Sequence, residues 1–207
     1  MIGNKTCIKF CGLSRPEDID AVNSLKPEYV GFVFWEKSKR NVSRKLAGDL
    51  KKALLPGIKA VGVFVDEDPK VIADLMEEEI IDIAQLHGSE DEDYIGRLRE
   101  LIGKKPIIKA IVVKGKEDIE KAEKCSADFL LLDSGKGTGQ TFNWELIKNA
   151  GFKKPFFLAG GLDPSNVADA VNELHPYAVD VSSGIETDRV KDPEKMRAFD
   201  AAVRTIT

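Results

Sequence analysis

Two side chains in this sequence stand where proton transfer is a natural use for them. Cys11 closes the short run Thr6-Cys7-Ile8-Lys9-Phe10 and is followed by Gly12 and a helix-opening Ser14-Arg15-Pro16-Glu17-Asp18. A thiol at a strand end facing a loop is a candidate base, and the competing role is packing, because free cysteine is most often a small buried hydrophobe. Asp133 follows Leu130-Leu131-Leu132. A carboxylate there is costly to bury unpaired, so it is either satisfied or at a solvent-facing rim, where a general acid would sit. Its competing role is a cap for the glycine-rich segment that follows.

Other residues qualify as ligand-holding groups. Ala159-Gly160-Gly161-Leu162 and Ser182-Ser183-Gly184 are short small-residue segments whose backbone N-H groups could cradle a phosphate, or which could simply be tight turns. Gly135-Lys136-Gly137-Thr138-Gly139 fits neither GxGxxG nor GxxxxGK[ST] and reads as a loop over the site. His87, beside Gly88, could touch a ligand, whereas His175, beside Pro176, reads as a loop residue. With no partner at ligand spacing, neither histidine suggests a metal site. Trp35, Lys37 and Arg40 supply an aromatic and two cations, and a planar guanidinium can stack on an aromatic acid. Cys7 and Cys11 are a CxxxC pair, but along a strand they lie roughly 13 Å apart, too far for a disulfide or a shared metal.

The elements that must position these groups follow a simple rhythm. Strand-like runs at Cys7 to Phe10, Tyr29 to Phe34, Ala60 to Val65, Ile83 to Leu86, Ile107 to Val112, Phe129 to Leu132, Phe156 to Ala159 and Ala178 to Val181 alternate with helical patterns. Those patterns cover Pro16 to Leu25, Ser43 to Leu55, Pro69 to Glu79, Glu90 to Ile102, Glu117 to Lys124, Asn143 to Asn149, Ser165 to Leu174 and Asp192 to Ile206. Repeated βα units imply a parallel sheet, and this many without a linker fit closure better than a doubly wound open sheet. The expected fold is therefore α/β, a single-domain (β/α)8 TIM barrel over residues 1–207, lean for its class.

In such a barrel, residues at the C-terminal ends of the strands form the site. Alternation places Cys7, Lys9 and Cys11 on one face, with Ile83, Gln85 and His87 likewise together, while Ile8, Phe10, Ala84 and Leu86 pack toward helices. Cys7, two pleats below Cys11, should be core and inert. Asp180, Ser182 and Ser183 end the last strand. A thiol and a carboxylate across one barrel mouth form a base and acid suited to moving protons on a sugar or carbonyl carbon.

Composition narrows the partners. The chain is 43% hydrophobic and 32% charged, with a net charge of −4, and its 31 Lys and Arg are interleaved with 35 Asp and Glu. Runs such as Glu90-Asp91-Glu92-Asp93 read as solvated helix surface, so nucleic-acid and membrane binding are not expected. Absence of an apolar leader points to a cytoplasmic protein.

Nearly the whole chain resembles the phosphoribosylanthranilate isomerases of tryptophan biosynthesis. The likeness runs through Lys9-Phe10-Cys11-Gly12, Gly31-Phe32-Val33-Phe34, Lys37-Ser38-Lys39-Arg40, Gln85-Leu86-His87-Gly88, Leu131-Leu132-Asp133, Thr141-Phe142-Asn143-Trp144, Leu158-Ala159-Gly160-Gly161-Leu162 and Val179-Asp180-Val181-Ser182-Ser183-Gly184. The resemblance implies an Amadori rearrangement of N-(5-phosphoribosyl)anthranilate, with Asp133 as general acid on the ring oxygen and Cys11 as general base at C2. It implies that Arg40, His87 and Asp180 hold the anthranilate end, and that Gly160, Gly161, Ser182, Ser183 and Gly184 surround the phosphate. No cofactor or metal is called for; the partner is a small phosphorylated substrate, with other tryptophan-pathway enzymes as candidate associates. A working base must be partly ionised, so Cys11 is expected to have a lowered pKa helped by Lys9. A metal-dependent epimerase would need His and Asp ligands at several strand ends, and a ligand-binding barrel without turnover would not need both Cys11 and Asp133.

Overall fold

Alternation of side chains along each strand builds two separate apolar layers, and closure of the sheet decides which becomes the barrel interior. The computed structural model describes residues 5–133 and 144–206. Its strands β1 (Cys7–Cys11), β2 (Tyr29–Val33), β3 (Lys59–Phe64), β4 (Ile83–Leu86), β5 (Ile107–Val112), β6 (Phe129–Asp133), β7 (Phe156–Ala159) and β8 (Ala178–Val181) pair in chain order. All of the pairs are parallel, and β8 returns to β1 with Lys9 opposite Asp180, closing the barrel.

One residue parity faces inward. Tyr29, Val61, Ile83, Ile108, Leu131, Phe157, Ala159 and Ala178 fill the interior, with Tyr29 and Phe157 edge to face at 5.3 Å between centroids. The other parity, including Ile8, Phe10, Val30, Phe32, Ala84, Leu86, Leu130 and Leu132, packs in the layer shared with the helices. Cys11, Asp133 and Asp180 have inward parity at the ends of β1, β6 and β8, as the sequence implies.

The helices are α1 (Pro16–Leu25), α2 (Arg44–Ala53), α3 (Pro69–Glu77), α4 (Glu92–Ile102), α5 (Lys116–Lys124), α6 (Trp144–Ala150), α7 (Val167–Leu174) and α8 (Pro193–Arg204). Several start later than their apolar patterns suggest, because the first residues serve as caps. Ser43 accepts from the Leu46 amide, Asp91 from Tyr94, and Asp192 from Glu194 and Lys195, each satisfying first-turn donors. Proline opens α1, α3 and α8, where its missing N-H costs nothing.

Three expectations change. A two-stranded hairpin, β9 (Glu186–Thr187) with β10 (Val190–Lys191), follows a 3₁₀ turn at Ser183–Ile185, in a stretch where the sequence pattern assigns no element. Glu90 is not solvated: it turns inward, buried, and pairs with Lys109 at 2.7 Å. Cys7 is half-buried rather than core, near Tyr177 at the lower end of the barrel, where burial pushes its thiol pKa up. The glycine-rich segment 135–139 lies outside the described residues, as do residues 141–143. No described helix is long and apolar enough to cross a membrane.

Below the sheet, the chain ends are tied together. Glu28 accepts from the Ile8 amide and from Arg204 of α8, both at 2.9 Å, and the Tyr29 and Tyr177 hydroxyls meet at 2.7 Å. Since Phe157 is fully buried in the interior layer, Phe157→Ala should lower unfolding free energy by about 3–5 kcal/mol in urea titrations. A loss below about 1 kcal/mol would mean the interior collapses around the vacancy.

Candidate active site

The thiol of Cys11 has its place because β2 carries no side chain beside it. Gly31 is the register partner of Cys11, and a Cβ built on Gly31 would lie 2.7 Å from the Cys11 sulfur. Only glycine leaves that room. Below it, Lys9 is wholly buried and donates to Asp180 across the β1–β8 seam at 3.0 Å. A buried ammonium is tolerable only when paired, and burial works against its charge here. Asp180 and Cys11 outweigh that penalty, so the Lys9 pKa is raised.

Cys11 itself is 9% exposed, and its pKa is raised rather than lowered. Burial drives the shift; Lys9 opposes it by charge and by a hydrogen bond, the Asp180 carboxylate adds to it, and Lys191 opposes it. The cation foreseen beside the thiol is present. Its effect is outweighed by desolvation, which a sequence does not display.

Arg40 reaches over the end of β1 from the loop after β2. Its stem lies against Gly12, where a Cβ would meet Arg40 Cδ at 2.4 Å, and Gly12 has φ +79°. The guanidinium donates through Nε and Nη2 to the two carboxylate oxygens of Glu186, each at 2.7 Å. Lys191 donates to the same Glu186 at 2.6 Å and to the Ser182 carbonyl at 2.9 Å. Burial disfavours the Glu186 carboxylate, but bonds from Arg40 and Lys191 prevail and hold its pKa below the ordinary value.

Asp133 and His87 approach from β6 and the end of β4. His87 Nε2 lies 3.7 Å from Asp133 Oδ2, and its Nδ1 is 3.0 Å from the amide nitrogen of buried Gln85. An acidic partner for His87, invisible in the linear sequence, is thus supplied by the fold. The turn carrying His87 is braced from β5: Lys109 donates to the Gly88 carbonyl at 2.8 Å and to Glu90, while Glu90 accepts from the amides of Gly88 and Asp66, each at 2.9 Å.

Gly160 and Gly161 both have positive φ, 90° and 66°, and Asn166 donates to the Gly161 carbonyl at 2.9 Å. Gly184 presses on the preceding loop, with a notional Cβ only 2.0 Å from the Leu162 carbonyl oxygen. The two small-residue segments therefore form one continuous wall beside β7 and β8. Ser182 lies in that wall, partly buried, and Ser183 is exposed.

The structure sets Cys11 beside the bonded Lys9–Asp180 pair, links Arg40 to Ser182 through Glu186 and Lys191, and places His87 beside Asp133. Glu186, Lys191, Glu90 and Lys109 escaped the sequence reading. Lys9 and Lys109 do carry a signal, being lysines inside apolar strand runs, where an unpaired cation would be excluded. Among the described residues, no three His, Cys, Asp or Glu side chains converge as a metal-binding group. The available chemistry is acid–base work beside two places suited to anions.

Comparison with known proteins gives this arrangement its context. Residues 8–202 match the family model described as N-(5'-phosphoribosyl)anthranilate (PRA) isomerase. The N-(5'-phosphoribosyl)anthranilate isomerase of Acetivibrio thermocellus is 47% identical, with 96% of each chain covered. The crystal structure of phosphoribosyl anthranilate isomerase from Thermotoga maritima superposes with a TM-score of 0.88 at 34% identity, covering 97% of this chain and 99% of that one. A crystal structure of phosphoribosyl anthranilate isomerase in complex with reduced 1-(o-carboxyphenylamino)-1-deoxyribulose 5-phosphate superposes with a TM-score of 0.85 at 34% identity, with the same coverage. The chain belongs to the N-(5'-phosphoribosyl)anthranilate isomerase family, the aldose–ketose isomerases of tryptophan biosynthesis.

Proposed function

We propose that the isomerisation runs by general acid–base catalysis between Asp133 and Cys11. The carboxyl of Asp133 gives its proton to the furanose ring oxygen of N-(5'-phosphoribosyl)anthranilate, and the C1–O bond breaks to leave a protonated Schiff base and a C4 hydroxyl. The Cys11 thiolate then takes the C2 proton, and those electrons neutralise the iminium as an enolamine. The thiol returns a proton to C1 while the C2 hydroxyl gives its own proton back to the Asp133 carboxylate, and the enolamine becomes the ketone, 1-(2-carboxyphenylamino)-1-deoxyribulose 5-phosphate, with both groups restored. Every proton removed is replaced, so substrate and product are isomers.

The observation that carries this reading is the placement of Cys11 and Asp133 at the inward-facing ends of β1 and β6, strands that share one mouth. The Lys9–Asp180 pair lies beneath the thiol, so a sulfur anion formed there meets an ammonium as well as a carboxylate. Asp180 thereby acts through Lys9 rather than on the ligand directly. Arg40 holds the anthranilate carboxylate, His87 lies beside the acid, and the wall of Gly160, Gly161, Ser182, Ser183 and Gly184 receives the phosphate. Burial of a base with a raised pKa has a kinetic use, because a basic thiolate is a stronger proton acceptor once formed.

Two measurements test the assignment. Following the fluorescence of freshly made phosphoribosylanthranilate, Cys11→Ala and Asp133→Asn should each lower kcat by about 10²–10⁴-fold. Near-normal turnover by Cys11→Ala would remove it from the base role. Because the working form is the thiolate and its pKa is raised, kcat/KM should climb with pH through the alkaline range. Lys9 lowers the Cys11 pKa, so Lys9→Met should move that limb to still higher pH, and an unmoved limb would assign the base elsewhere.

A further inference from the structure

The β9–β10 hairpin is a costly feature for a connection of its length. Its two turn residues, Asp188 and Arg189, both have positive φ, 51° and 67°, as a type I′ turn demands, yet neither is glycine or asparagine. The strain is offset by a dense set of bonds. Lys195 donates to the Glu186 carbonyl at 2.7 Å, the Asp192 amide to Ile185 at 2.9 Å, and Arg15 to the Lys191 carbonyl at 3.2 Å. What the hairpin presents in return is one carboxylate, Glu186, and one ammonium, Lys191.

Both side chains are committed inward. Lys191 has three N-H donors and three acceptors in reach: Glu186 Oε1 at 2.6 Å, the Ser182 carbonyl at 2.9 Å and Ser182 Oγ at 3.3 Å. An ammonium so occupied is a tie between two parts of the site and not a ligand-binding cation. Glu186 takes the Nε–Nη2 edge of Arg40, so the edge bearing Nη1 is the one left for an incoming anion. Two cations share one carboxylate, and the cluster keeps a net positive charge toward an anionic ligand.

We infer that the β9–β10 hairpin sets the spacing of the two anion-binding ends of the site: Glu186 fixes the Arg40 guanidinium, Lys191 ties that carboxylate to the Ser182–Gly184 segment, and ligands carrying a carboxylate and a phosphate at opposite ends are selected. This rests on the placement of carboxylate and phosphate given under the proposed function. Glu186 and Lys191 are positioning residues acting through Arg40 and Ser182.

Titration calorimetry on the full chain with three probes tests the inference: inorganic phosphate, the reduced deoxyribulose-phosphate product analogue bearing the anthranilate carboxylate, and its anilino counterpart without the carboxylate. Glu186→Gln should weaken the carboxylate-bearing analogue about tenfold and leave phosphate and the anilino analogue unchanged. In turnover the loss should fall on KM rather than kcat. In an Arg40→Ala background, Glu186→Gln should add nothing, since the two residues act as one unit. Unchanged affinity for the carboxylate-bearing analogue, an equal loss with the anilino analogue, or an additive loss in the Arg40→Ala background would each overturn the inference. If Glu186→Gln does not fold, Glu186→Asp, which shortens the reach by a methylene, is read the same way. Failure of the functional reading is separately visible, as a folded wild-type protein that neither turns over phosphoribosylanthranilate nor binds the carboxylate-bearing analogue.

Discussion

A buried ion pair at the closing seam governs this molecule. Lys9 and Asp180 face each other on β1 and β8, neither able to lie where it does without the other. Breaking such a pair by removing one partner leaves an uncompensated charge in an apolar layer, a penalty of roughly 3–5 kcal/mol. The pair therefore disfavours any slip of β8 against β1, since a shift by one residue would turn Asp180 toward the helices. It also sets the field at Cys11, directly above on the same face. Closure of the barrel and electrostatics of the thiol are consequences of one contact.

A second buried pair works in the same manner elsewhere on the rim. Lys109 and Glu90 brace the turn that carries His87, using backbone amides and carbonyls as well as each other. Arg40, Glu186 and Lys191 form the third cluster. In both of these clusters a loop segment at the rim is held by a charged group rooted in a strand or a hairpin, so polar pairing does at the rim what apolar packing does below it. Such networks specify a single arrangement because a partly satisfied one is costly.

Much of the architecture was legible from period alone. Apolar alternation placed the eight barrel strands within a residue or two of their bounds, and it assigned Ile8 and Phe10 to the helix side and Cys11 to the interior. Helix starts were less legible, because Ser43, Asp91 and Asp192 fall within the helical patterns of the sequence and act as caps in space. The hairpin was missed because Asp188-Arg189 lacks the Asn-Gly or Asp-Gly signature of its turn type. Glu90 was misread as surface because its partner, Lys109, is 19 residues away in the chain. The direction of the Cys11 shift was misjudged for a related reason: a charged neighbour is visible in sequence, whereas the depth of burial that outweighs it is a property of the assembled barrel.

The seam also has a bearing on when the protein becomes competent during its synthesis. Lys9 and Asp180 are 171 residues apart, and the contacts of Arg40 with Glu186 span 146. Groups around the thiol thus come from the first and last strands to emerge, and a nascent chain lacking β8 and the hairpin has neither the counter-ion of Lys9 nor the carboxylate that orients Arg40. Contacts of such long range are made late, after much loop-closure entropy has been overcome. In a chain growing on the ribosome, the groups that surround the thiol are therefore assembled only once β8 and the hairpin have emerged.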